Sequence, residues 1–176
     1  LTALEMEKKL EIMRSEWANE GDWPELVHNI RHRVGLNSGE MVTGNMGSSM
    51  RMNYTMMGDT VNLAARLEPA AKHYGVYIFV AEHTQKAVAD LFEWRFLDYL
   101  RVKGKKKPVK GYELISLKNE MTDDQSQLVQ AFDEGIKLYK KQDWTKAKKR
   151  FKDALSLEEK FADRPTTPSD VYLDRC

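Results

Sequence analysis

The sequence predicts an α+β domain followed by a C-terminal α-helical hairpin. Short runs of β-branched and aromatic residues alternate with helical patterns as far as residue 117. From Leu128 onward the apolar spacing is purely helical. Of the 176 residues, 41% are hydrophobic and 31% charged, the balance of a folded globular chain rather than a disordered one.

Residues 2–17 read as an amphipathic helix, with Leu4, Met6, Leu10, Met13 and Trp17 recurring among Glu, Lys and Arg. Gly21, Asp22 and Pro24 break it. Arg31–Ser38 reads as a strand entering a turn, since Val34 and Leu36 alternate with other residues. A short strand is expected at Met41–Thr43, punctuated by Gly39, Gly44 and Gly47, and another at Met52–Met57. Asp59 or Thr60 is positioned to cap a helix through Val61, Leu63, Ala64 and Leu67, which Pro69 should end or kink before Gly75. Val76–Val80 is a buried strand and Glu82–Leu91 a helix. Phe92–Val102 and Lys110–Leu117 are antiparallel strands joined by a lysine-rich turn. Residues 118–127 form a polar linker. Leu128, Ala131, Phe132, Gly135, Ile136 and Tyr139, then Trp144, Ala147, Phe151, Ala154 and Leu155, give two helices over 128–161. Residues 162–176 hold two prolines and the start of a further helix.

The formal charges nearly cancel, 28 basic against 27 acidic, so no nucleic-acid partner is expected. The single cysteine, Cys176, rules out an internal disulfide and a multi-cysteine zinc site. The longest apolar run, Val76–Ala81, is far below the roughly 20 residues of a membrane-spanning helix. His28, His32, His73 and His83 lack metal-ligand spacing and are expected at the surface. The methionines near residues 41–57 are expected to fill the core. The chain opens at Leu1 inside a helical pattern, so further sequence is expected upstream.

The chemistry-bearing candidates are Asn62 and Arg66, four residues apart and so on one helix face. An amide can orient a sugar hydroxyl, and a guanidinium presents a fixed fork of donors to phosphate oxygens. The same spacing is also that of an ordinary solvated pair, the commoner case on helix surfaces. The basic turn Arg101–Lys110 is either a cationic wall for phosphates or a solvated hairpin tip. Lys103, beside Gly104 at a strand end, is its best candidate for a ligand contact.

Three segments resemble the catalytic domain of class III nucleotide cyclases. They are Arg33–Gly47, the motif Tyr54-Thr-Met-Met-Gly-Asp-Thr-Val-Asn-Leu-Ala-Ala-Arg-Leu67, and Val102-Lys-Gly104 followed by Gly111-Tyr-Glu-Leu114. The resemblance implies an incomplete ferredoxin-like cyclase sheet with flanking helices over residues 1–117. It also implies conversion of a nucleoside triphosphate to a 3′,5′-cyclic monophosphate and pyrophosphate. By the same resemblance, Asn62 orients the ribose and Arg66 stabilises the transition state. Lys103 contacts the triphosphate and Thr55 reads the purine. Threonine there is similar to a bacterial adenylate cyclase subgroup, which favours ATP. The family uses two Mg2+ or Mn2+ ions, whose aspartate ligands fall upstream of residue 1, as does the lysine that pairs with the purine-reading residue. Asp59 belongs to the later motif and is no metal ligand. The family's sites form between two catalytic domains, so a second cyclase domain, most simply in a homodimer, is implied.

Residues 128–161 resemble one tetratricopeptide repeat, with Gly135, Ala147, Phe151 and Ala154 at its small and aromatic positions. A protein partner is expected through it. Family members with such tails work on the cytoplasmic side and are often membrane-anchored through upstream segments. The missing metal ligands leave a second reading open, a non-catalytic cyclase-like module acting through the repeat.

Overall fold

The computed structural model describes residues 1–101, 108–158 and 166–176. Helix α1 (Thr2–Glu20) and the single turn α2 (Glu25–His28) lead into strand β1 (Val34–Leu36). A hairpin follows, β2 (Val42–Ser48) and β3 (Arg51–Met57), then helix α3 (Asp59–Tyr74) and strand β4 (Ile78–Ala81). Helix α4 (Glu82–Ala87) and a 3₁₀ turn (Ala89–Leu91) precede strands β5 (Phe92–Leu100) and β6 (Val109–Leu117). Helices α5 (Asp123–Lys140), α6 (Trp144–Glu158) and α7 (Pro168–Arg175) complete the described chain.

The main sheet is four-stranded in the order β1-β4-β6-β5, with β1 parallel to β4 and the other pairs antiparallel. All of Ile78–Ala81 is buried, because α3 covers one face of β4 and α1 the other. On the α3 face Leu63, Leu67, Ala71 and Tyr74 meet Val76, Phe79, Ala81 and Leu97. On the α1 face Ala3 meets Ile78, Val80, Phe92 and Leu114. A third core joins Leu128, Phe132 and Ile136 of α5 to Ala147, Phe151 and Ala154 of α6 and Tyr172 of α7. The α5 and α6 positions of this core are among those the helical spacing picks out.

Several expectations are corrected. Helix α3 runs through Pro69 to Tyr74. One lost backbone bond is outweighed by burial of Leu67, Ala71 and Tyr74 on both sides of the proline. Neither Asp59 nor Thr60 caps α3. The cap is Gly58, and the Thr60 hydroxyl donates instead to the Glu40 carbonyl. The polar stretch after β6 is shorter than 118–127, because Thr122 and Gln125 form a reciprocal capping box that starts α5 at Asp123. His28 and His32 are half-buried rather than fully exposed, and His32 Nε2 lies 3.4 Å from Glu7 of α1.

The methionines near 41–57 are not core filler. Met41, Met50, Met52, Met56 and Met57 are all exposed, as is Tyr54. They line the β2–β3 hairpin, which forms a separate two-stranded sheet. Met52, Tyr54 and Met56 alternate along β3 and so share one face.

Glycine 35 lets α3 approach the sheet. A Cβ there would lie 2.8 Å from the Ala64 carbonyl oxygen and 2.9 Å from the Glu68 nitrogen, both α3 backbone atoms. Gly35→Ala must therefore lift the helix. We expect it to cost roughly 1–3 kcal/mol, the usual penalty of overpacking, read from thermal or urea denaturation.

Candidate active site

The sequence candidates fall on one continuous unit, β3–Gly58–α3. Thr55 lies on β3 opposite Gly44 of β2. Since Gly44 carries no side chain, the face beside Thr55 is open. Asn62 and Arg66 are exposed on α3, one turn apart, while the residue after each, Leu63 and Leu67, is buried against the sheet. The apolar stripe of α3 thus fixes which way the amide and guanidinium face. Lys103 lies outside the described residues.

The start of α3 is held by side chains that the spacing does not single out. Asn37, just after β1, donates from Nδ2 to the Thr60 carbonyl at 3.0 Å. Together with the Thr60–Glu40 bond, this ties the first turn of α3 to the loop following β1. Asn62 N donates to the Gly58 carbonyl at 3.0 Å, which begins the helical ladder. Asn37 has no sequence signal, because its partner is a backbone carbonyl 23 residues away.

The far end of α3 is also held. Tyr74 Oη donates to Asp98 Oδ2 on β5 at 2.5 Å. Arg175 of α7 donates to the same carboxylate oxygen at 2.6 Å and to Tyr74 Oη at 3.2 Å. Burial, aided by the hydrogen bond to Asp98, pushes the Tyr74 phenol up to about 12. Burial alone would raise Asp98, but the hydrogen bonds from Tyr74 and Arg175 outweigh it and hold the carboxyl below its ordinary range. Both groups therefore keep their charge states across neutral pH, an anionic aspartate between a phenol and a guanidinium.

Among the described residues, no three His, Cys, Asp or Glu side chains gather into a set that could hold a metal ion. Among the same residues, no helix is long and apolar enough to cross a membrane.

The comparisons with known proteins decide what this unit is. The family described as the adenylate and guanylate cyclase catalytic domain matches residues 2–116, from α1 through β6. The chain belongs to this family. The chain is 34% identical over 154 residues to a terminal-differentiation-specific adenylate cyclase of Dictyostelium discoideum, covering 84% of this chain and 7% of that protein. That match takes in more than residues 2–116, so it continues into the helical C-terminal part. Adenylate cyclase 1 of Rhizobium meliloti is 34% identical over 115 residues, covering 65% of this chain and 16% of its own length. The chain thus spans a small fraction of these relatives. Among solved structures, the adenylyl cyclase CyaB from P. aeruginosa superimposes with a TM-score of 0.54 at 28% identity, over 68% of this chain and 58% of its own. A bacterial light-regulated adenylyl cyclase gives the same TM-score of 0.54 at 25% identity, over 73% of this chain and 36% of its own. Both are mixed α and β folds with a small sheet flanked by helices, as here.

Proposed function

We propose that this chain is the part of an adenylate cyclase that holds the base, ribose and α-phosphate of ATP. The observation that carries the reading is the exposure of Thr55, Asn62 and Arg66 along one β3–α3 unit inside the family match. In this role Thr55 exchanges a hydrogen bond with the purine edge. Asn62 orients the ribose so that its 3′-hydroxyl faces the α-phosphorus. As that oxygen attacks in line, it loses its proton and the bond to the bridging α–β oxygen breaks, releasing pyrophosphate. Negative charge grows on the phosphoryl oxygens, and the fork of Arg66 meets it with donors already in place. Lys103 is assigned to the triphosphate. The names of the relatives support ATP over GTP.

In this reading the two divalent ions would be held by aspartates outside this chain and would supply positive charge to the phosphates. The second catalytic domain, from another copy of the same protein, seats on the exposed ribbon of Met52, Tyr54 and Met56, since an apolar face of this kind favours a partner over solvent. The reaction is assigned to the cytoplasmic side, with any membrane anchor outside this chain. We also assign the α5–α6 pair to a tetratricopeptide-like repeat. Its groove, lined by Glu134, Lys137, Leu138, Lys146, Lys149 and Arg150, is the site for a protein partner in the alternative, non-catalytic reading.

The test is conversion of ATP by the protein with its complete catalytic domain. We expect cyclic AMP and pyrophosphate in equal amounts, with ATP preferred over GTP. No product would favour the non-catalytic reading, and a GTP preference would remove Thr55 from its role. The 176-residue chain by itself is expected to make no cyclic AMP with Mg2+ or Mn2+. Turnover by it would show that the assigned division of residues between domains is wrong.

A further inference from the structure

We propose that α7 positions α3 for catalysis, with Arg175, Asp98 and Tyr74 clamping the far end of the helix whose near end carries Asn62 and Arg66. The inference rests on the roles given to those two residues above. It makes the C-terminal helical segment part of the catalytic framework rather than an appendage.

Independent contacts join α7 to the α3 side of the sheet. Val171 of α7 lies in the same core as Leu63, Leu67, Ala71 and Tyr74. Tyr172 Oη, buried, donates to the Leu97 carbonyl of β5 at 2.8 Å. The Arg175 guanidinium sits 5.9 Å from the centre of the Tyr74 ring and 5.0 Å from that of Tyr172. Just before α7, the Thr166 carbonyl fills the space where a Cβ on Gly75 would stand. Gly75 ends α3 in the left-handed conformation, φ +68°, so the helix terminus and the approach to α7 are built around each other.

The clamp matters for α3 because the helix has a weak joint. Pro69 supplies no N–H, so the rung to the Ala65 carbonyl is missing partway along α3. The first half of α3 is then set by what holds each end, and not by helix stiffness alone. Eight residues separate Arg66 from Tyr74, about 12 Å of helix axis, so a small tilt at the clamp becomes a displacement of the guanidinium. Tyr74, Asp98 and Arg175 are positioning residues in this account. None of them is placed against the substrate.

Tyr74→Phe is the mildest test, since it keeps the ring in its core and removes only the hydroxyl. In the protein with its complete catalytic domain, we expect kcat to fall about 3- to 10-fold with KM for ATP unchanged, as for a small misplacement of a transition-state group. Arg175→Gln should give the same loss, Arg175→Lys should recover most of it, and the double variant should be no slower than the slower single one. Lowered melting temperature with full kcat in both single variants would overturn the proposal and leave these contacts purely structural. Arg66→Ala separates this inference from the reading beneath it. If Arg66→Ala loses turnover while Tyr74→Phe and Arg175→Gln keep it, only the clamp fails. Amide hydrogen exchange over residues 62–67 reads the clamp without turnover. Arg175→Gln should speed exchange there about 10-fold, a loss of 1.36 kcal/mol of protection. Unchanged exchange would sink the clamp whether or not the protein cyclises ATP.

Discussion

Replacing Arg66 by alanine is expected to lower turnover on the order of 100-fold, the loss that follows removal of one preorganised donor to a developing oxyanion. That corresponds to about 2.7 kcal/mol of transition-state stabilisation. In the proposed role the guanidinium meets charge that grows only as the 3′-oxygen attacks, so the loss should fall on kcat with KM for ATP changed little. Arg66→Lys should recover part of the rate. It restores a cation but not the planar fork that can hold two phosphoryl oxygens at once. The fold should be indifferent. Arg66 is exposed on the solvent side of α3, and substitutions at such positions usually stay within about 0.5 kcal/mol. A melting temperature that holds while kcat collapses is therefore the expected pair of results, from thermal denaturation and a cyclic AMP assay on the same preparations. Full turnover in Arg66→Ala would remove the role assigned to it, and with it the reading of α3 as the catalytic helix.

What the sequence makes legible follows from how local each signal is. The Asn62–Arg66 face is readable because a helix repeats every 3.6 residues, which sets the exposed pair beside the buried stripe of Leu63 and Leu67. The β5–β6 hairpin is readable from its β-rich runs on either side of a lysine-rich turn. The misreading of Met52, Met56 and Met57 has a different origin. An apolar strand reads alike whether its face is covered within the chain or left for a partner, and only the tertiary arrangement shows β2–β3 standing apart from the main sheet. Pro69 misleads for a related reason, since a local breaker was outvoted by core contacts from both halves of α3. The contacts of Arg95, Asp98 and Asn37 join residues distant in sequence, and no periodicity encodes them.

Arg95 shows how much of the fold rests on such a pairing. Arg95 and Leu97, two apart on β5, are both buried. The guanidinium is fully buried. Its Nε donates to Glu113 Oε2 at 2.8 Å, its Nη2 lies 2.5 Å from the same oxygen, and its Nη1 pairs with Glu158 of α6. The ring of Phe132 on α5 lies 5.0 Å from it, and Glu158 also accepts the Ser169 amide at the start of α7. Burial opposes the charge on Arg95, but the two carboxylates outweigh it and hold the guanidinium protonated. One cation thus joins the main sheet to α5 and α6 directly and, through Glu158, to α7. Glu158→Ala strips it of one counter-charge and leaves Ser169 without its acceptor. Breaking one arm of a buried pair costs about 3–5 kcal/mol. At roughly 2–4 °C per kcal/mol for a domain this size, the melting temperature should drop by on the order of 10 °C. Arg95→Met should cost at least as much, because it leaves Glu113 and Glu158 buried without their shared counter-cation. Replacing Arg95, Glu113 and Glu158 together by apolar residues of similar volume should recover most of the loss, because no unpaired charge remains. A melting temperature within a degree or two of the parent in Glu158→Ala would mean that the pair does not hold the helices to the sheet, and α7 would then be held by its own contacts through Val171, Tyr172 and Arg175.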